Sequence, residues 1–198
     1  MRVFIAIDID EQIRKGLSRL QNEMRSKVDI KKGDVKWVNP DVMHLTLKFI
    51  GEIKDVQAVD VCNITKDVAS RYENFELRVE TVGYFGGRSA RVLWVGTGQN
   101  CENLLQLQSD LEQELASAGW PVETRKFSGH LTLCRARNSK AGVKLAQMTE
   151  GYKDFKLGTV SADSVSVYQS QLTPKAPFIP CWEIINCNNK IKTNNINP

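Results

Sequence analysis

His44-Leu45-Thr46-Leu47 recurs as His130-Leu131-Thr132-Leu133, and the two words use up both histidines of the chain. In an extended strand successive side chains point to opposite faces. Each word therefore sets a His and a Thr on one face and two Leu on the other. At about 3.3 Å of rise per residue, the His and Thr of one word stand about 7 Å apart. Burying the Leu face against a core forces the His-Thr face the other way, and a polar pair is costly there unless it is satisfied. A cleft satisfies it. Two such strands facing each other gather two imidazoles and two hydroxyls, a set suited to acid–base chemistry on an oxyanion.

The surrounding sequence reads as mixed strands and helices. Arg2 to Asp8 has the apolar run of a buried strand, and Asp10 is placed to cap a helix reaching about Lys27, with Ile13, Leu17, Leu20 and Met24 at helical spacing. Val35 to Val38 is a short strand, and Asn39-Pro40 opens a turn. The first His strand runs through Ile50 and stops at Gly51. Asp55 to Arg71 is a second helix. Phe75 to Val82 alternates apolar and polar like a half-buried strand, Phe85 to Arg88 is a turn, and Ala90 to Val95 is the next strand. Asn100 to Ala118 is an amphipathic helix ended by Gly119. Ser139 to Thr149 is a shorter helix. Lys153 to Leu157, Ser161 to Tyr168 and Phe178 to Ile185 read as strands. One His-Thr strand falls in each half, so we expect two like-built lobes facing each other across a cleft. Residues 188–198, rich in Asn and Lys, have little to bury and read as a disordered tail.

The chain has 198 residues, enough for one domain or two small lobes sharing a core. Its hydrophobic content of 41% and charged content of 25% are ordinary for a globular protein. The formal net charge of +4 suits a polyanionic ligand without demanding one. No run approaches a membrane span of about 20 apolar residues. The short apolar start is followed by Asp8, Asp10 and Glu11, unlike a signal peptide. Five scattered cysteines without a C-x-x-C word read as free thiols of a reducing cytoplasm.

Zinc takes three or four protein ligands, and two histidines flanked by hydroxyls do not supply them. No G-x-S-x-G word marks a serine nucleophile. Two-histidine phosphoryl chemistry remains. One neutral imidazole takes a proton from the attacking oxygen, one imidazolium gives a proton to the leaving oxygen, and Thr hydroxyls hold the non-bridging oxygens. Lys48 shares the parity of His44 and Thr46 and is placed to reach the cleft, with a solvated or snorkelling Lys as the alternative. Arg135 has a guanidinium fork suited to phosphate, but strict alternation puts it opposite His130. It serves the site only if the strand breaks near Cys134, itself read as a small packing residue.

Several stretches resemble one family. Val35-Lys36-Trp37-Val38-Asn39-Pro40 followed by His44 to Glu52 is similar to the first signature of the bacterial and archaeal RNA 2′,3′-cyclic phosphodiesterases. These enzymes were formerly called 2′-5′ RNA ligases and belong to the two-histidine phosphoesterase superfamily. Arg2 to Asp8, Arg91 to Gly96, Phe127 to Arg135 and Tyr168 to Pro174 look like theirs, and the likeness spans about residues 1–187. It implies a single bilobal α+β domain over that span, with two antiparallel sheets lining a central cleft and helices outside. It implies hydrolysis of a terminal RNA 2′,3′-cyclic phosphate to a 2′-phosphate, with no metal or other cofactor. His44 would be the acid that protonates the leaving 3′ oxygen and His130 the base that activates water. Thr46 and Thr132 would bind phosphate oxygens, and Arg135 would clamp the phosphate. The implied partners are RNA ends or nucleotides bearing a cyclic phosphate, with no membrane and no obligatory protein partner. Two alternatives stay open: a module that binds a nucleotide or RNA end without turnover, and a reversible 2′-5′ RNA ligase.

Overall fold

Residues 1–98, 101–172, 177–178 and 181–186 are described by the computed structural model. The expected tail at 188–198 lies outside them. The elements in chain order are β1 (Arg2–Asp8), α1 (Glu11–Lys27), β2 (Val35–Trp37), β3 (His44–Glu52), α2 (Asp55–Ala69), β4 (Phe75–Phe85), β5 (Val92–Gly96), α3 (Glu102–Ser117), β6 (His130–Ala136), α4 (Ser139–Met148), β7 (Lys156–Ala162), β8 (Ser164–Leu172), β9 (Pro177–Phe178) and β10 (Cys181–Asn186).

The strands form two antiparallel sheets, giving an α+β fold. One runs β10-β8-β1-β3, with β9 paired to β8; the other runs β2-β6-β5-β4-β7. Counted outward from the His-bearing strand, β3-β1-β8-β10 matches β6-β5-β4-β7, and β2 is an addition beside β6. The two expected lobes are these two sheets.

The core lies on the Leu side of both His strands. Val3, Ile5 and Ile7 of β1, Leu45 and Leu47 of β3, Leu93 and Val95 of β5, and Leu131 and Leu133 of β6 join one cluster with α1, α2 and α3. Leu104, Leu107, Leu111 and Leu115 of α3 recur at helical spacing and are wholly buried; each such burial is worth about 1.5–3 kcal/mol. The other face of the first sheet carries a separate small cluster of Phe4, Ala6 and Tyr168. The apolar run of β1 thus feeds two surfaces, the core and the cleft.

Asp10 caps α1 as expected, its Oδ1 accepting from the Ile13 amide at 2.8 Å. Several boundaries differ from the sequence reading. β4 runs on to Phe85, because Thr81, at a φ of +62°, resets the alternation and lets the strand leave β7 and pair with β5. Gly51 does not end β3; it sits at a φ of +93° and the strand continues to Glu52. The expected strands at 153–157 and 161–168 are β7 and β8, each beginning three residues later. β7 is an edge strand with only Val160 and Ala162 buried, so little apolar pattern marks its start.

Candidate active site

His44 and His130 each open a strand, and the strands share one irregularity. Along β1 and β3 the partners are Asp8 with His44, Ile7 with Leu45 and Ala6 with Thr46; then Ile5 pairs with Lys48 and Phe4 with Phe49, so Leu47 is skipped. Along β5 and β6 the partners are Gly96 with His130, Val95 with Leu131 and Trp94 with Thr132; then Leu93 pairs with Cys134 and Val92 with Arg135, so Leu133 is skipped. A skipped residue is a β-bulge, and it flips the faces of everything after it. The break expected near Cys134 is present, and Arg135 returns to the His130 face. Gln21 of α1 supports it: its amide donates to the Leu133 carbonyl at 2.9 Å and to the Val38 carbonyl at 2.8 Å.

The same bulge corrects the reading of Lys48. Simple alternation put it beside His44 and Thr46, but past Leu47 it shares the side of Ile5. Its stem borders the cleft, yet the ammonium is 2.5 Å from Glu112 Oε1 and donates to the Pro121 carbonyl at 2.8 Å. Lys48 is only 6% exposed, so this charge is spent on an internal ion pair. Phe49 takes the cleft position instead and is 65% exposed.

Each imidazole is oriented the same way. His44 Nδ1 lies 3.0 Å from the Val42 carbonyl oxygen, and His130 Nδ1 lies 2.7 Å from that of Ser128. A carbonyl can only accept, so each Nδ1 carries the hydrogen and each Nε2 is left for chemistry. His44 is stacked on Phe4 at 4.6 Å between centroids, with Tyr168 at 5.8 Å. His130 meets the edge of Phe85 at 4.8 Å. Gly129 precedes it because a Cβ there would come within 2.5 Å of Thr97 Oγ1. Burial pushes both histidines below the usual imidazole value, opposed by the carbonyl bonds; nearby Asp8 also raises His44, and nearby Arg135 also lowers His130. Both rings are therefore neutral at rest near pH 7.

A cleft of about 820 Å³ joins the two lobes. Thr46 and Phe49 line it from β3; His130 and Arg135 line it from β6; Arg91, Lys126 and Phe127 stand around it. That volume is in the range of nucleotide-sized sites. Its two carboxylates are already engaged, Glu112 by Lys48 and Glu123 by Arg125 at 3.0 Å. Arg91, Lys126 and Arg135 then leave an electropositive wall that suits a phosphate. A second cavity of about 410 Å³, against β4 and β7, is lined by mixed charges and touches neither His word. Among the described residues no cluster of His, Cys, Asp or Glu could hold a metal ion, and no helix is long and apolar enough to cross a membrane.

The sequence reading missed Asp8, Phe4, Tyr168, Gln21, Arg91 and Lys126. For Asp8 the sequence carried little signal, since nothing in it shows which strand pairs with the first His word. For Gln21 there was none, because a polar residue on a helix gives no hint that it is buried.

The family model of LigT-like phosphoesterases matches the chain twice, at residues 7–94 and 95–179, so each match holds one His word. A relative from Methanothermobacter thermautotrophicus, named RNA 2′,3′-cyclic phosphodiesterase, is 32% identical over 185 residues, covering 93% of this chain and 97% of its own. One of the same name from Thermotoga maritima is 32% identical over 180 residues, covering 90% and 91%. Among solved structures, a Thermus thermophilus protein has a TM-score of 0.79 at 23% identity, covering 95% of this chain and 98% of its own. Escherichia coli LigT complexed with 3′-AMP has a TM-score of 0.73 at 24% identity, covering 93% and 97%. With two family matches that together span most of the sequence, this chain belongs to the LigT-like phosphoesterases.

Proposed function

We propose that the protein hydrolyses a terminal RNA 2′,3′-cyclic phosphate to a 2′-phosphate by two-histidine acid–base catalysis without a metal. The observation that carries this reading is the pair of matched His-x-Thr strands, each with its imidazole fixed at Nδ1 and its bulge after Thr. The names of the relatives support the substrate class. The free thiols of Cys101 and Cys134 support a reducing, cytoplasmic setting for this activity.

In this mechanism the cyclic phosphate lies between the lobes with the terminal ribose on the His44 side. Neutral His130 Nε2 takes a proton from water as the water oxygen bonds to phosphorus. The bond from phosphorus to the 3′ oxygen breaks, and protonated His44 Nε2–H gives its proton to that oxygen. Thr46 and Thr132 donate hydroxyl hydrogens to the non-bridging oxygens, and the Arg135 fork binds the growing negative charge. One water is consumed, and the proton taken at His130 balances the one lost at His44. The site recovers by proton exchange with solvent.

The test is product analysis on a short RNA ending in a 2′,3′-cyclic phosphate, with EDTA present. A 2′-phosphate product formed at an undiminished rate is expected. A 3′-phosphate product, or turnover lost to chelation and restored by zinc or manganese, overturns the mechanism. Tight binding without turnover makes the protein a binding module. Joining to an RNA with a 5′-hydroxyl, in preference to hydrolysis, makes it a ligase.

A further inference from the structure

The two halves of the site are related position by position, and two pairs of positions on the His faces differ in charge. Ala6 and Trp94 face Thr46 and Thr132, Ile5 and Leu93 face Lys48 and Cys134, and Phe4 and Val92 face Phe49 and Arg135. Opposite His44 stands Asp8; opposite His130 stands Gly96, with no side chain at all. Arg135 adds a cation on the His130 face, where its counterpart on the His44 face is Phe49.

Asp8 is held in place. Tyr168 donates its hydroxyl to Asp8 Oδ1, and Ser166 Oγ donates to Oδ2 at 3.1 Å. Arg14 of α1 stands 4.0 Å from Oδ1. The Tyr168 ring that donates to Asp8 also stacks near the His44 ring, and Phe4 closes the other contact. One network therefore fixes both the carboxylate and the imidazole. The charged or titratable groups around His44 are Asp8 from β1, Arg14 from α1 and Tyr168 from β8; His130 and Arg135 stand on the other sheet.

We propose that Asp8 is the positioning residue that breaks the symmetry of the site and keeps its single proton on His44. The proposal rests on the acid–base reading above and adds a physical reason for it. A matched pair of histidines has no reason to divide acid from base. A carboxylate beside one and a guanidinium beside the other supply the reason: the first stabilises an imidazolium, the second disfavours it. Enclosure works against this outcome, because His44 is the more enclosed ring and burial disfavours its charged form. The carboxylate must therefore outweigh the difference in burial, which makes the order of the two titrations informative.

The test is proton NMR titration of the full chain without substrate. With only two histidines, two imidazole curves appear, and one His130→Gln spectrum assigns them. In the unaltered protein His44 is expected to titrate above His130. Asp8→Asn, close in shape, is expected to lower the His44 midpoint by about one pH unit, the lower end of the effect of a nearby charge, and to leave His130 in place. Arg14→Gln, which removes an opposing cation, is expected to raise it. In kinetics, Asp8→Asn moves the alkaline limb of kcat/KM to lower pH and leaves the acidic limb unchanged. The proposal is overturned if His44 titrates below His130 in the unaltered protein. It is also overturned if the His44 midpoint does not fall in Asp8→Asn, or if both variants move it the same way. Because the titration needs no turnover, it can succeed while the hydrolysis assay fails. That result keeps the proton on His44 and removes the catalytic reading.

Discussion

Phe49 and Arg135 occupy the same place in two bulged strands, three residues past the threonine of each word and returned to the cleft face by the skipped Leu47 and Leu133. The cleft therefore has one guanidinium at this position, on the His130 side, and an aromatic ring opposite. Arg135→Ala is expected to lower kcat/KM for a 2′,3′-cyclic nucleotide on the order of 10²-fold, as loss of a donor to developing charge does. Arg135→Lys restores only part, since the charge remains but the fork is gone. A change within twofold for Arg135→Ala would remove Arg135 from the phosphate site.

Lys48 sits at the position of Cys134, on the core side of the bulge, and its ammonium is bound by Glu112 and Pro121. Lys48→Met leaves the Glu112 carboxylate in place without its partner. It is expected to cost about 3 kcal/mol in urea unfolding, as breaking a buried pair does. Adding Glu112→Gln should recover much of that loss. Activity per folded molecule should stay within a few-fold. Collapse of activity with unchanged stability would instead make Lys48 a phosphate ligand.

Gln21 tests whether the bulge aims Arg135. Its amide holds the carbonyl of the skipped Leu133 and that of Val38. Gln21→Met keeps the length and removes both donors; the Leu133 carbonyl keeps the Val38 amide at 2.9 Å, and the Val38 carbonyl loses its Gln21 donor, at a cost of about 1–3 kcal/mol. If the bulge is what turns Arg135 to the cleft, KM rises and the variant becomes less sensitive to a further Arg135→Ala change. Unchanged kinetics at a lowered melting point would limit Gln21 to a stabilising role.

The His words were legible because parity is a strong constraint. Two Leu on one face and a core to bury them leave His and Thr one direction. The same rule failed at Lys48 and worked at Arg135 only with an exception, because a bulge is decided by pairing between strands. A single strand's sequence does not contain its partner's register. Asp8 was hidden for a related reason. β1 is apolar on both faces, Phe4 and Ala6 toward the cleft and Val3, Ile5 and Ile7 toward the core, so no alternation marked which side Asp8 would take. The start of β7 was misplaced because an edge strand buries little.

Burial of the two rings also makes stability depend on pH. Both folded-state values lie below that of an unfolded imidazole, about 6.5. Between the folded and unfolded values the unfolded chain binds more protons. The histidine contribution to stability is therefore complete above about pH 6.5 and is lost as pH falls through the folded values. Melting temperature should decline on acidification below about pH 6.5. In a His44→Gln/His130→Gln double variant that decline should flatten. An equal decline in the double variant would assign it to other groups.

Hydrolysis itself should separate the two histidines. The base must be neutral and the acid protonated at the same moment, so kcat/KM is expected to show a bell-shaped pH dependence with two macroscopic values belonging to the pair. Activity is lost on the acid side as the base takes a proton and on the alkaline side as the acid gives one up. Burial lowers both, so the maximum should fall on the acid side of about 6.5. His44→Ala and His130→Ala should each remove a factor on the order of 10² to 10⁴. Thr46→Val or Thr132→Val should remove at most about 10². A leaving group that needs no proton divides the roles. With an aryl phosphodiester of low leaving-group pKa, His44→Ala should regain most of its activity, because no acid is then required. His130→Ala should stay slow, because water must still lose a proton as it attacks. Rescue of His130→Ala with His44→Ala left inactive would exchange the two roles. It would also count against Asp8 as the residue that sets them, since the carboxylate would then stand beside the base.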